Sequence, residues 1–236
     1  MCISKKYGRT YHYPFSPGTT SDDRISHQYW HNVQAISSVV HTEKLDGENN
    51  CLNAHGVFAR SHAAPTTSPW TQAIRERWQS IRGDLGEIEI FGENLYAIHS
   101  IEYRQLEHHY YVFAVRYLDT WLGWDEVKWY AAFFDLAVVP ALKIVQPSAM
   151  DERNFREDVV SLAGRDSLLE AHDVQTQRPC TCEGIVSRNA DEFSVDAFAS
   201  HVFKYVRRGH VKTDEHWTRK WKRARLRGEY LAKEMI

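Results

Sequence analysis

The chain has 236 residues, 43% hydrophobic, 25% charged and 13% aromatic, which is enough apolar surface for one large or two small packed units and too much for a disordered chain. A formal charge of −2 excludes a whole-molecule cationic field, so any nucleic-acid contact has to come from a local patch. No run reaches the roughly 18 apolar residues of a membrane span, and residues 1–20, with Lys5, Lys6, Arg9 and His12, lack a signal peptide's apolar stretch; a cytoplasmic protein with no membrane partner is expected.

In chain order, residues 1–30 carry Gly8, Pro14, Pro17 and Gly18 with no sustained period and read as an irregular N-terminal arm. Val33 to Ala59 is a set of short β-rich runs broken at Asp46-Gly47-Glu48-Asn49-Asn50 and at His55-Gly56, which predicts a hairpin. Ser68 as N-cap, Pro69 at the first helical position and apolar Trp70, Ala73, Ile74, Trp78 and Ile81 predict a helix that ends by Gly83. Glu87–Phe91 alternates as a strand, and Tyr110–Tyr117 is a continuous aromatic and β-branched run suited to a buried one.

Asp125–Leu136 reads as a helix behind an aspartate cap, and Asp151–His172 as one or two more with a break at Gly164. Ile185–Ser187 and His201–Val206 are further strands. Strands and helices mix without regular alternation, so the expected class is α+β with mainly antiparallel sheets flanked by helices. Residues 1–212 form the expected main domain and 213–236 a short basic helical extension. From Val211 onward eight Lys/Arg stand against four acids, with Trp217 and Trp221 at a spacing that fits either RNA contact or a core stripe. Cys2, Cys51, Cys180 and Cys182 are too few and too unevenly spaced for a disulfide framework or a four-cysteine zinc site, so reduced thiols are expected.

The stretch richest in chemistry is Glu43-Lys44-Leu45-Asp46-Gly47-Glu48-Asn49, a lysine at a strand end followed by an acidic glycine turn. Taken alone it is either a solvated lysine beside a turn or a lysine nucleophile. A nucleophilic amine must be neutral, and its site must also supply acids for a divalent cation, cations for a triphosphate and an aromatic face for a base. Those parts follow in order: Ala59-Arg60-Ser61, Phe91-Gly92-Glu93, Tyr111 to Val115, Glu183 to Val186 and Phe203 to Arg207.

This ordered set, EKLDGEN, ARS, FGE, YVFAV, EGIV and FKYVR, resembles the six collinear motifs of the covalent nucleotidyltransferases, which include DNA ligases, RNA ligases and mRNA capping enzymes. The stretches FGENLYAIHSIEY, TWLGWDEV and HVKTDEHW are most similar to the small ATP-dependent RNA ligases of phages and bacteria. The resemblance implies a nucleotidyltransferase domain of ATP-grasp-like fold. It makes Lys44 the residue that takes AMP from ATP, with Mg²⁺ or Mn²⁺ as cofactor.

By the same resemblance Glu43 helps read adenine, Asp46 and Gly47 shape the turn, and Asn49 assists sealing. Arg60 touches ribose or phosphate, Glu93 binds the ribose hydroxyls and Phe113 stacks on adenine. Glu183 holds the catalytic metal and Lys204 contacts the α-phosphate. Tyr110, Tyr111 and Tyr117 are left as core or surface aromatics, and His99, His210 and His216 as polar or RNA-contact positions.

One departure stands out: the last motif commonly carries two lysines separated by one residue, whereas here Val206 holds the second place and Arg207 follows. Only 32 residues follow Lys204, so no oligonucleotide-binding barrel is expected after the last motif. The expected protein is therefore a monomeric ATP-dependent RNA ligase, acting in RNA repair, that joins RNA 5′-phosphate and 3′-hydroxyl ends. A capping-type guanylyltransferase, a minimal DNA ligase and a non-catalytic RNA-end-binding protein are the other readings.

Overall fold

The computed structural model describes residues 5–61, 63–209 and 221–234. The N-terminal arm contains β1 (Tyr11–His12) and leads into α1 (Tyr29–Gln34). Then come β2 (Val39–Lys44), β3 (Glu48–Asn53), β4 (Gly56–Ala59), α2 (Gln72–Ile81), β5 (Ile88–Asn94), β6 (Ile101–Tyr103), β7 (Tyr110–Tyr117) and β8 (Thr120–Trp121). After α3 (Trp124–Phe133) follow β9 (Ala137–Val138), β10 (Ala141–Val145), α4 (Glu152–Ala163), β11 (Ala171–Asp173), β12 (Gly184–Asn189) and β13 (Phe193–Ser194). The last elements are α5 (Phe198–His201), β14 (Val202–Val206) and α6 (Arg227–Glu234).

Two sheets face each other. The first has the order β1-β14-β12-β2-β10, and the second β13-β8-β7-β5-β3-β4 with β9 beside β7; β6 and β11 pair separately. Among the described strands only β1–β14 and β7–β9 are parallel, so the expected α+β class with mainly antiparallel sheets is what the chain forms. The register Gly184↔Lys44 and Val186↔Thr42 between β12 and β2, and Val186↔Lys204 between β12 and β14, decides which side chains share a face. With a two-residue period, Thr42, Lys44, Val186, Arg188 and Lys204 lie on one face of the first sheet, and His41, Glu43, Ile185, Ser187 and Phe203 on the other.

That second face is covered by α1 and α4. Tyr13, Tyr29, Val33, Phe155, Val159, Leu162, Ile185 and Phe203 form its apolar cluster, and the fully buried aliphatic and Phe members contribute about 1.5–3 kcal/mol each by leaving water. Helix α4 presents Phe155, Val159 and Leu162 at helical spacing, and the Asp151 carboxylate accepts the Asn154 amide proton at its N-terminus. His41 is enclosed there against Ser187 Oγ at 2.8 Å, and burial lowers its imidazole to about 4, so it is neutral near pH 7.

Several local expectations change. Ser68 caps through its carbonyl rather than its hydroxyl: a 3₁₀ turn over Pro69–Thr71 precedes α2, and Thr71 Oγ1 donates to Ser68 O at 2.7 Å. Helix α3 begins at Trp124, and the Gly123 amide donates to Glu126 Oε2 at 3.0 Å, so Asp125 lies in the first turn instead of capping. The helical run after Asp151 stops at Ala163, and His172 belongs to β11, where pairing with β6 overrides local propensity. The arm is not free: Tyr11 and His12 pair with Phe203 and Lys204 of β14. At the other end, the expected 213–220 part of the extension lies outside the described residues. Trp221 is not helical; its indole sits 6.2 Å from Trp70 and 5.9 Å from Tyr96. The segment is tied down by Ile98 N to Lys222 O, Ala224 N to Tyr96 O and Arg227 N to Leu106 O.

Candidate active site

Between the facing sheets lies a cleft of about 930 Å³. Its walls carry Thr42, Lys44, Val186, Arg188 and Lys204 from the first sheet, Asn49, Glu93 and Phe113 from the second, and Lys6, Tyr7, Arg9 and Asp23 from the arm. Arg60 and Ser61, just past β4, stand at its rim, and Arg60 is exposed.

Lys44 occupies the last position of β2, and its Nζ donates to Glu183 Oε2 at 2.5 Å, with the two side chains 26% and 10% exposed. Glu183 is brought there by the tight pairing of β12 with β14. A Cβ on Gly184 would lie 1.9 Å from Tyr205 O, so only glycine lets these strands close beside the lysine. The turn after Lys44 is built in the same way. Asp46 Oδ2 accepts from Ser100 N at 2.8 Å, Ser100 Oγ at 2.6 Å and Ile101 N at 3.1 Å. The Gly47 amide donates to Glu93 Oε1 at 3.0 Å, and a Cβ there would meet Asn94 O at 2.5 Å.

Charge is unevenly shared in this cluster. Burial on its own would lower the Lys44 ammonium pKa, but Glu183, Glu93 and Asp46 outweigh it and the pKa is raised, so the lysine is held as an ammonium without nucleotide. Burial first, opposed by Lys44 but reinforced by Glu183 and Asp46, raises Glu93 to about 8. Lys204, across β12 from Lys44, has its pKa lowered by burial against the pull of Asp23, whose carboxylate lies 3.4 Å away. Asp23 also faces His12 Nε2 at 3.1 Å and accepts from Thr20 N and Oγ1.

The cleft thus gathers Lys44, Asp46, Gly47, Asn49, Arg60, Glu93, Phe113, Glu183 and Lys204 at or around one opening. Glu43 borders the same cleft, but its carboxylate is turned to the opposite face, accepting from Ser167 Oγ and Leu168 N at 2.7 Å each, so the acid group is tied to the loop before β11. The arginine that ends the last motif also turns away, since Arg207 Nε donates to Cys182 O at 3.1 Å and Val206 is buried. Of the histidines, His99 lines the cleft, while His210 and His216 lie outside the described residues. Tyr110 and Tyr111 are core and Tyr117 is exposed.

Sequence reasoning missed Tyr7, Arg9, Asp23 and Arg188. The arm reaches the cleft only because β1 pairs with a strand about 190 residues later, which no local period reveals. Arg188, by contrast, follows from alternation once β12 is paired with β2.

Among the described residues no group of three His, Cys, Asp or Glu is close enough to hold a metal ion by itself. Among the described residues, no helix is long and apolar enough to cross a membrane.

A sequence model of the RNA ligase family matches residues 37–206. Among curated proteins, none matches the chain. Among solved structures, a Naegleria gruberi RNA ligase variant with ATP and manganese superposes with a TM-score of 0.55 at 16% identity, covering 88% of this chain and 57% of its own. An archaeal ATP-dependent RNA ligase gives 0.50 at 12% identity, covering 86% of this chain and 48% of its own. This chain therefore spans about half of these relatives, which share its fold. A family match that runs from just before β2 to the last residue of β14, and so encloses both walls of the cleft, shows that the chain belongs to the RNA ligase family.

Proposed function

We propose that the protein is an ATP-dependent RNA ligase whose adenylyltransferase unit is the two-sheet body, with nucleotidyltransferase (ATP-grasp-like) topology and residues 221–234 docked at one end. The observation that carries this is Lys44 at the inner end of β2, in contact with Glu183 and one strand removed from Lys204, inside a nucleotide-sized cleft of a family member.

In the first step the neutral Lys44 amine attacks the α-phosphorus of ATP. An N–P bond forms, the bond to the pyrophosphate oxygen breaks, and the amine proton leaves to solvent. Lys204 stabilises the charge that develops on the α-phosphate. AMP then passes to an RNA 5′-phosphate, and an RNA 3′-hydroxyl displaces it to form the phosphodiester. Glu183, with Glu93 beside it, would hold a Mg²⁺ or Mn²⁺ ion that supplies charge neutralisation for the triphosphate.

Because the acids hold Lys44 protonated, cationic charge has to offset that negative excess before attack, since the anionic nucleotide alone adds to it. Lys204, across β12 from Lys44, is the group of this chain placed to do so once Asp23 releases it. Phe113 offers a ring to the base, worth roughly 1–3 kcal/mol if it stacks. Gly47 and Glu93 shape the ribose end, Asp46 pins the turn, Asn49 serves sealing and Arg60 meets phosphate or ribose at the rim. Glu43 supports the strand from behind.

The test is incubation with ATP and Mg²⁺ followed by intact-mass measurement and a ligation assay on 5′-phosphorylated RNA. The expected result is a gain of one AMP on the wild type and none on Lys44→Ala. A persistent adduct on the variant, or an adduct only with GTP, overturns the reading.

A further inference from the structure

The end of the cleft remote from Lys44 is not purely apolar. Arg188 shares the face of Val186 and Lys44, four positions along β12 from the level of Lys44, a separation of about 13 Å. That is a span of nucleoside size, so a nucleotide with its α-phosphate at Lys44 lays its base toward Arg188. Arg188 is only 6% exposed, yet it lines the cleft together with Phe113, Val139 and Tyr7.

Its guanidinium is fixed by aromatic faces, 5.7 Å from the Phe113 ring centroid and 5.4 Å from that of Trp124. The Tyr7 hydroxyl lies close enough to act on its charge, and the Tyr7 ring meets Phe113 edge-on at 5.0 Å. Among the described residues no carboxylate pairs with this cation, and its Nε has no hydrogen-bond partner. A buried cation with an unused donor is costly unless a ligand completes it. Arginine has donors only, so what completes it is an acceptor edge.

We propose that Arg188, oriented by Tyr7, is the specificity-determining residue that reads a ring-nitrogen acceptor of the purine while Phe113 stacks on its face. This rests on the nucleotide site described under the proposed function. It separates the roles of two neighbours on one strand: Val186 packs on the base, and Arg188 selects it by its edge.

The test compares ATP with its 1-deaza, 3-deaza and 7-deaza analogues, each lacking one ring acceptor, in formation of the Lys44 adduct by intact mass. In the wild type one analogue is expected to lose roughly ten- to hundred-fold in kcat/KM, mostly through KM, as for a lost hydrogen bond to a charged group. Arg188→Met is expected to use ATP as poorly as the wild type uses that analogue, and to treat the two alike. Tyr7→Phe, which keeps the ring, is expected to show a smaller loss of the same discrimination. Equal use of all three analogues by the wild type overturns the proposal and leaves the ligase reading intact, whether or not Arg188→Met folds. An analogue penalty that persists unchanged in Arg188→Met shows Arg188 to be a packing residue only. Absence of any adduct from wild-type protein with ATP or GTP removes both readings.

Discussion

Glu43 and Lys44 are chain neighbours on β2 and face opposite sides of one sheet. The Glu43 carboxylate is enclosed and satisfied by a hydroxyl and an amide of the loop before β11. The Lys44 ammonium stands in a cleft among three acids, Glu183, Glu93 and Asp46, with more negative charge around it than it can balance. A closed polar network rigidifies a fold, whereas an unbalanced one is where a charged ligand gains most by binding. One strand therefore anchors the body on one face and, on the other, sets its lysine among acids that favour a cation.

The sharpest way to break this comparison is to remove the cleft-side member. Lys44→Ala is expected to abolish the AMP adduct and to lower the melting temperature, because Glu183 loses its ammonium partner in a largely buried site. Lys44→Arg should be equally inactive, since a guanidinium does not deprotonate near neutral pH. Measurable adduct in either variant places the nucleophile elsewhere. Next in size, Lys204→Ala is expected to slow adduct formation by about 10²–10³-fold, the range seen when one stabiliser of developing charge is lost. Single-turnover rates with saturating ATP measure it, and an effect confined to KM contradicts a role in the transition state.

The opposite result is expected on the other face. Glu43→Ala leaves the Ser167 hydroxyl and Leu168 amide without their acceptor, at a cost of about 1–3 kcal/mol. Urea denaturation should show this, with the adduct still forming on the folded fraction. Loss of the adduct at unchanged stability would return Glu43 to the role in adenine recognition that its place beside the lysine first implied.

How much of this could be read beforehand depends on whether the signal was local. The strands β2, β3, β5, β7, β12 and β14 follow from β-branched runs and turn residues, and the residues of the ordered motifs fall on or beside them. Two-residue alternation was available in the sequence and already separates Glu43 from Lys44; the motif order alone put both at the nucleotide. The residues that escaped notice, Tyr7, Asp23 and Arg188, become meaningful only through pairings of distant segments: β1 with β14, and β12 with β2. Likewise the sequence around β11 reads as the end of a helix, because its strand character comes from β6, about 70 residues earlier.

The smallest expected effect concerns the acid excess in the nucleotide-free protein. The Glu93 carboxyl titrates near 8 in the folded chain, against about 4.3 for an unfolded glutamate, so between these values the folded state holds a proton that the unfolded state has released. Stability from this group is complete below the lower value and is lost as pH rises through the upper one, with a slope of at most about 1.4 kcal/mol per pH unit. The histidines His41, buried, and His109 and His201, half-buried, all with lowered pKa, act in the opposite sense, but only below about 6.5. The window from pH 7 to 8.5 therefore isolates Glu93 from those histidines. There the melting temperature of wild-type protein in EDTA without nucleotide should fall with pH, and that of Glu93→Gln should stay nearly level. Equal slopes for the two proteins would mean that the excess charge around Lys44 is dissipated by solvent, and that the two faces of β2 differ less in their electrostatics than in their packing.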